Sequence, residues 1–202
     1  MHRIISRLIL LSLVTWQVHA SVPTSTGPAD SIAITLDLRD GPFTVPLAGG
    51  DGQGVYFVTN GQKVYLGDTP AGIGQEENTF AGQWRVNDRT VRVEVVSNPN
   101  RCRLSLRAEP SDGISGWGLS LPAGPEEYFT GLMERVVEGP QGNSWKPGVE
   151  TAMNLRGQTV KMQVDYTISL YAPFYLSSRG YGLLTHGTWP GSYTFPPEGR
   201  SG

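Results

Sequence analysis

The chain has 202 residues, a formal net charge of −2 and 17% charged side chains, a length that suits one domain, or one domain and a short tail. A charge this near neutrality, with no basic stripe, excludes the electrostatic footprint of a nucleic-acid binder. The 26 glycines and 15 prolines, with no long runs of strong helix formers, predict short strands joined by punctuated turns and hence an all-β protein.

The first residues read as a targeting signal. Arg3 and Arg7 make a positive start, Leu8-Ile9-Leu10-Leu11-Ser12-Leu13-Val14 is a short apolar core, and Val18-His19-Ala20 has the small-residue ending of a cleavage site. This predicts a secretory signal peptide over 1–20, cut after Ala20 so that the mature chain starts at Ser21 and is secreted or extracytoplasmic. A membrane anchor would need about 20 apolar residues, and Arg7 cuts the run short of that; no membrane partner is expected after cleavage. Residues 21–30, small and polar with two prolines, predict a flexible leader.

Residues 31–195 read as one β-domain. Ile32, Ile34, Leu36 and Leu38 alternate with Ala33, Thr35, Asp37 and Arg39, the period of a half-buried strand. Asp40-Gly41-Pro42 turns the chain, and the glycine-rich stretch 47–54 is expected to be a mobile turn. Val55-Tyr56-Phe57-Val58 and Lys63-Val64-Tyr65-Leu66 flank Asn60-Gly61, a tight-hairpin signal because both central residues must tolerate positive φ. Residues 68–78 read as a loop. Strands follow at 83–86 and 91–96 around Asn87-Asp88-Arg89, then around Cys102, around Trp117, Leu119 and Leu121, and around Val160, Met162 and Val164. Short strands at this spacing predict an antiparallel β-sandwich or barrel. No internal repeat or second domain shows.

Cys102 is the one cysteine, so no intramolecular disulfide can form. Cys102, Leu104 and Leu106 alternate with Arg103, Ser105 and Arg107, which places the sulfur on an apolar strand face. That is the setting of a buried core thiol rather than of a reactive or bridging one. His186 is the mature chain's lone histidine, which excludes a histidine-rich metal site, and a Ser-His-Asp triad unless His186 serves in it. No cofactor is expected.

The most distinctive stretch is 127–195. It holds Tyr128-Phe129-Thr130-Gly131-Leu132-Met133-Glu134-Arg135 and the run Tyr171-Ala172-Pro173-Phe174-Tyr175-Leu176-Ser177-Ser178-Arg179-Gly180-Tyr181-Gly182. Together these resemble the galactose-mutarotase-like N-terminal β-sandwich of glycoside hydrolase family 31, the α-glucosidase and α-xylosidase family. The resemblance covers the C-terminal third to half of the chain and is weak before about Gln83. It implies a retaining glycosidase of terminal α-glucosides or α-xylosides. In that family the aspartate nucleophile and aspartate acid/base lie on a (β/α)8 barrel, a partner this chain does not carry, so no catalytic residue is transferred to it. The chain alone is expected to be inactive, since a retaining pair must stand about 5–5.5 Å apart. The family's sandwich continues for several more strands, so this one is expected to be incomplete at its C-terminal edge, with 196–202 a disordered tail.

The resemblance also implies a sugar contact. A sandwich loop before the Tyr171 strand reaches the barrel mouth in several such enzymes, and Asp165, Tyr166 and Thr167 match it as substrate-binding residues, with Tyr166 available for stacking. Glu134-Arg135 could face sugar or hold loops by charge-assisted hydrogen bonds. Glu126-Glu127 is a neighbouring carboxylate pair, but neighbours on a strand point to opposite faces, which argues against shared acid/base work; the pair reads as a solvated turn. Trp145, Trp189 and Tyr193 could form an aromatic platform or cap the core. Period two places Phe174 and Leu176 inward and Tyr175 and Ser177 outward, and Pro173 must start a strand, lie on an edge or mark a bulge. Two other functions remain open: a free-standing secreted carbohydrate-binding module, and a truncated product with no function.

Overall fold

A computed structural model of the protein describes residues 9–15, 20–21, 32–38, 40–49, 52–133, 154–162, 171–186, 190–197 and 199. In chain order the strands are β1 (Ile9–Thr15), β2 (Ala20–Ser21), β3 (Ala33–Leu38), β4 (Gly41–Pro46), β5 (Gly54–Thr59), β6 (Gln62–Tyr65), β7 (Gly72–Glu76) and β8 (Thr79–Val86). There follow β9 (Arg89–Asn98), β10 (Arg101–Glu109), β11 (Ile114–Ser120), β12 (Phe129–Met133), β13 (Thr159–Met162), β14 (Tyr171–Ser177), β15 (Tyr181–His186) and β16 (Gly191–Thr194). Among the described residues there is no helix. The protein is all-β and antiparallel, of the sandwich kind.

The tight turns form where local chemistry requires them. Asn60 (φ 50°) and Gly61 (φ 75°) join β5 to β6, pairing Thr59 with Gln62 and Tyr56 with Tyr65. Asn87, at φ 56°, turns β8 into β9. The largest sheet runs β12-β14-β15-β1-β10-β9-β8-β7. Its inner face is built of aligned rows: Phe80 opposite Val95 and Val95 opposite Leu104, then Trp84 opposite Val91 and Val91 opposite Ala108. Sheets β2-β3-β4 and β11-β5-β6 supply Ile34, Leu36, Phe43, Val45, Val55 and Phe57 to the same buried cluster. Phe43 stacks on Tyr181 at 4.5 Å, tying β4 to β15. Trp84 is 1% exposed, and its indole N–H donates to the Gly67 carbonyl at 2.8 Å, so its one polar atom is satisfied inside the core.

Burying one such side chain is worth about 1.5–3 kcal/mol, against about 0.5–1.5 kcal/mol for a ladder hydrogen bond. Inward phase therefore decides register, and several sequence expectations shift for that reason. Leu47 and Ala48, expected in a mobile turn, are fully buried; the Leu47 and Ala48 amides both donate to the Ile32 carbonyl. The stretch 68–78, expected as loop, contains β7, an exposed edge strand paired to β8. The phase of β14 is the reverse of the expectation. Tyr175 and Ser177 are buried at 6% and 7%, while Leu176 is 47% exposed. Tyr175 faces Leu183 in register and meets Phe129, Phe195 and Tyr181 edge-on. Leu176 instead lies opposite Gly182 on the outer face, where the Phe174 and Leu176 side chains occupy the space a Cβ on Gly182 would need.

Pro173 lies at the irregularity between β12 and β14, where Gly131 pairs with Tyr175 but Met133 pairs with Tyr171, a bulge that spares the missing N–H. Cys102 is 1% exposed beside Leu104 and Leu106, in the buried setting its alternation predicts. Past Phe195, the carbonyls of Pro196 and Pro197 accept hydrogen bonds from the Gly157 amide and the Arg156 side chain. Strand β1 pairs with β10 on one side and β15 on the other, so residues that read as a secretory leader occupy an interior place in the largest sheet.

Candidate functional site

The segment 121–128 leaves β11 and turns back toward β12, and Glu127 near its end is 3% exposed. Its carboxylate accepts the Gly124 amide at 2.9 Å and the Ser177 hydroxyl. Ser177 Oγ in turn accepts the Arg179 amide at 3.0 Å, so one hydroxyl ties the β14–β15 turn to the carboxylate. Burial, then Tyr175 and Glu127, push the Tyr181 phenol well above the usual tyrosine range. Burial likewise raises Tyr175. Both phenols stay protonated at neutral pH.

Arg156 completes this cluster from a turn before β13. It is buried, and its guanidinium donates to three carbonyls: Glu127 at 2.6 Å, Pro197 at 2.9 Å, and Gly124. The Asn154 side-chain carbonyl accepts the Arg156 amide at 3.1 Å. Together these bonds lock the loop before β12 to the chain after β16. The Glu127 expectation of a solvated turn is thus corrected: its neighbour Glu126 is exposed, while Glu127 points into a bonded cage.

In front of the cage lies an open cleft of about 720 Å³, within the size range of ligand sites. One wall carries Tyr56, Tyr65 and Trp117, the other Phe129, Tyr175, Tyr181, Tyr193 and Phe195. Tyr56 and Tyr65 face each other at 5.1 Å, a pairing dictated by the Asn60-Gly61 turn. Lys63 Nζ lies 4.4 Å from the Tyr56 ring centroid. Gly118 lets that ring lie across β11, because a Cβ there would stand 2.1 Å from Tyr56 Cζ. The Tyr65 hydroxyl is 3.2 Å from Ser120 Oγ, and the Tyr193 hydroxyl donates to Thr185 Oγ1 at 2.7 Å. Among the described lining residues there is no Asp or Glu. The arrangement therefore offers aromatic faces for stacking, a cation, and hydroxyls for hydrogen bonds.

Of the residues singled out in sequence, Asp165, Tyr166, Thr167, Glu134, Arg135, Trp145 and Trp189 lie outside the described residues. Tyr193 is half-buried in the cleft wall and bonded through its hydroxyl. Sequence reasoning passed over Tyr56, Tyr65, Trp117 and Arg156 as site residues, and it read Glu127 as solvated. A signal existed for the first two, since a two-residue turn at Asn60-Gly61 pairs residues whose numbers sum to that of Tyr56 and Tyr65. Nothing local marks Arg156, whose three acceptors lie 29 to 41 residues away in sequence.

Fold and site define an all-β antiparallel protein with an open aromatic cleft between its sheets. No protein-family model, no curated protein and no solved structure matches the chain.

Proposed function

We propose that this chain is the N-terminal β-sandwich portion of a secreted family 31 glycosidase acting on terminal α-glucosides or α-xylosides. Its role is to bind carbohydrate and brace a (β/α)8 barrel whose two aspartates carry the reaction. The residue runs at 128–135 and 171–182 suggest the family, and the aromatic cleft is the observation that carries the carbohydrate role. A pyranose presents an apolar C–H face and a rim of hydroxyls. The faces of Trp117 and Tyr56 suit the first, and Lys63, Ser120 and Thr185 suit the second. Asp165, Tyr166 and Thr167 are assigned to sugar contact at the barrel mouth, and the leader over 1–20 to export with cleavage after Ala20.

The test is calorimetric titration of the full chain with maltooligosaccharides, xyloglucan fragments and cellooligosaccharides. Binding confined to the α-linked sugars, and weakened at least tenfold by Trp117→Ala, is the expected result. No binding of any sugar by folded protein would sink the carbohydrate role. The same cleft also favours a second reading, a self-sufficient carbohydrate-binding module, which predicts that cellooligosaccharides bind as well as the α-linked sugars. Aryl α-glucosides and α-xylosides are expected to remain unhydrolysed by this chain; turnover abolished by Asp165→Ala would overturn that expectation.

A further inference from the structure

No run of the sequence is basic, yet the topology gathers arginines from three strands onto one face of the largest sheet. On β10, Arg101, Arg103 and Arg107 are exposed and alternate with buried Cys102, Leu104 and Leu106. On β9 the exposed Arg92 stands opposite Arg107 on one side and opposite Gln83 of β8 on the other. Arg85 joins them from β8, opposite Thr90, and is also exposed. Arg92 and Arg107 are one strand spacing apart, about 5 Å, and like charges set directly opposite repel. Arg107 pairs with Glu109 at 2.8 Å, both side chains about half exposed. Arg85, Arg92, Arg101 and Arg103 have no ion-pair partner among the described residues. Glu94, opposite Ser105, is a second carboxylate on this face.

We propose that this face is a docking surface for an acidic polysaccharide, a chain bearing uronic-acid carboxylates, which holds the protein beside its neutral substrate. A guanidinium fork matches a carboxylate through two parallel N–H···O bonds, and an oxyanion seated between Arg92 and Arg107 turns their repulsion into a clamp. From Arg101 to Arg107 the extended strand covers about 20 Å, a length that suits a polymer rather than one small anion. The pattern of charge then selects among polyanions. Glu94 and Glu109 lie within the face and repel a continuous anionic layer, such as a plane of lipid headgroups or the dense phosphates of a duplex. A single extended chain laid along β10 meets Arg101, Arg103 and Arg107 and leaves Glu94 to its side. This role rests on the carbohydrate and export readings, but it uses none of the cleft residues, so the surface and the cleft can fail separately.

Titration of the full chain with polygalacturonate is the test. Saturable binding is expected at low ionic strength, lost at about 1 M salt, where charges are screened within about 3 Å. Arg92→Gln with Arg107→Gln should weaken it at least tenfold without lowering the melting temperature, since the pair removed is a repulsive one. Lys161→Gln, which takes one exposed charge from β13, should change it by less than about twofold. Maltooligosaccharide binding should be the same in the double variant as in the parent chain. Four results would each overturn the proposal: no binding by the folded chain, equal binding of the fully methyl-esterified neutral polymer, unaltered binding by the double variant, or tighter binding to phosphatidylglycerol vesicles or duplex DNA at equal charge concentration. Polygalacturonate bound while maltooligosaccharides are refused would leave the surface standing and remove the role of the cleft.

Discussion

Arg156 holds three carbonyls on two separate stretches of chain, and its loss takes the guanidinium donor from the buried Glu127 carbonyl. An unsatisfied buried acceptor costs about 1–3 kcal/mol, so Arg156→Ala should lower stability by about 1–3 kcal/mol. A denaturant titration with the midpoint reduced and the slope unchanged would show this; an unshifted midpoint would mean the cage is incidental. Alkaline behaviour follows from other buried residues. Burial pushes the Cys102 thiol up to about 12, and raises the phenols of Tyr175 and Tyr181 as well. In the unfolded chain the thiol ionises near 9.0 and the phenols near 10.0. Above those values the unfolded chain releases protons that the fold retains, so stability falls as pH rises. The denaturant midpoint should be level from pH 7 to about 8.5 and decline progressively from about 9 to 11. Cys102→Ala should remove the earliest part of the decline while leaving the tyrosine part. A midpoint independent of pH up to 11 would refute the assignment.

Among the elements, two glycines separate stability from binding. Gly131 has φ 115°, and a Cβ there would stand 2.6 Å from the Phe174 carbonyl oxygen and 2.9 Å from Tyr175 Cα. Backbone cannot move aside cheaply, so Gly131→Ala should cost about 1–3 kcal/mol, read as a fall in melting temperature. Gly118 meets only the tip of the half-exposed Tyr56 ring, which can swing away. Gly118→Ala should therefore leave melting nearly unchanged and weaken oligosaccharide binding by displacing that ring. The reverse pattern would contradict both roles. The existence of most strands was legible because one face was apolar and the other charged, as in Val91, Val93 and Val95 against Arg92 and Glu94. The phase of β14 was not, because Phe174, Tyr175 and Leu176 are consecutive and large. There the decision belongs to Phe129, Phe195 and Tyr181, contacts that no local pattern reveals. Strand β7 was missed for the opposite reason: every residue in it is exposed, so it carries no apolar period, and pairing with β8 alone defines it. Of the cleft, only Tyr193 was foreseen, since Trp117 and Tyr56 are brought to it by sheet packing.

At the scale of the whole molecule, the two halves of the largest sheet are assembled differently. Strands β7 through β10 follow one another in sequence and in space, joined by two-residue turns at 77–78, 87–88 and 99–100. Strand β12, by contrast, must find β14 across a long stretch of chain, pairing Phe129 with Ser177. Closing a short loop is fast and closing a long one is slow. The meander from Gly72 to Glu109 can thus form hairpin by hairpin, within about 1–10 μs for each, before any distant partner arrives. Pulse-labelled hydrogen exchange during refolding should protect Val93 and Val95 first and Tyr175 and Leu183 afterwards; simultaneous protection of both sets would count against this order. A chain emerging from the ribosome acquires the meander while the residues that build the aromatic wall, 171–195, are still to come. The cleft therefore becomes ordered after the meander during synthesis.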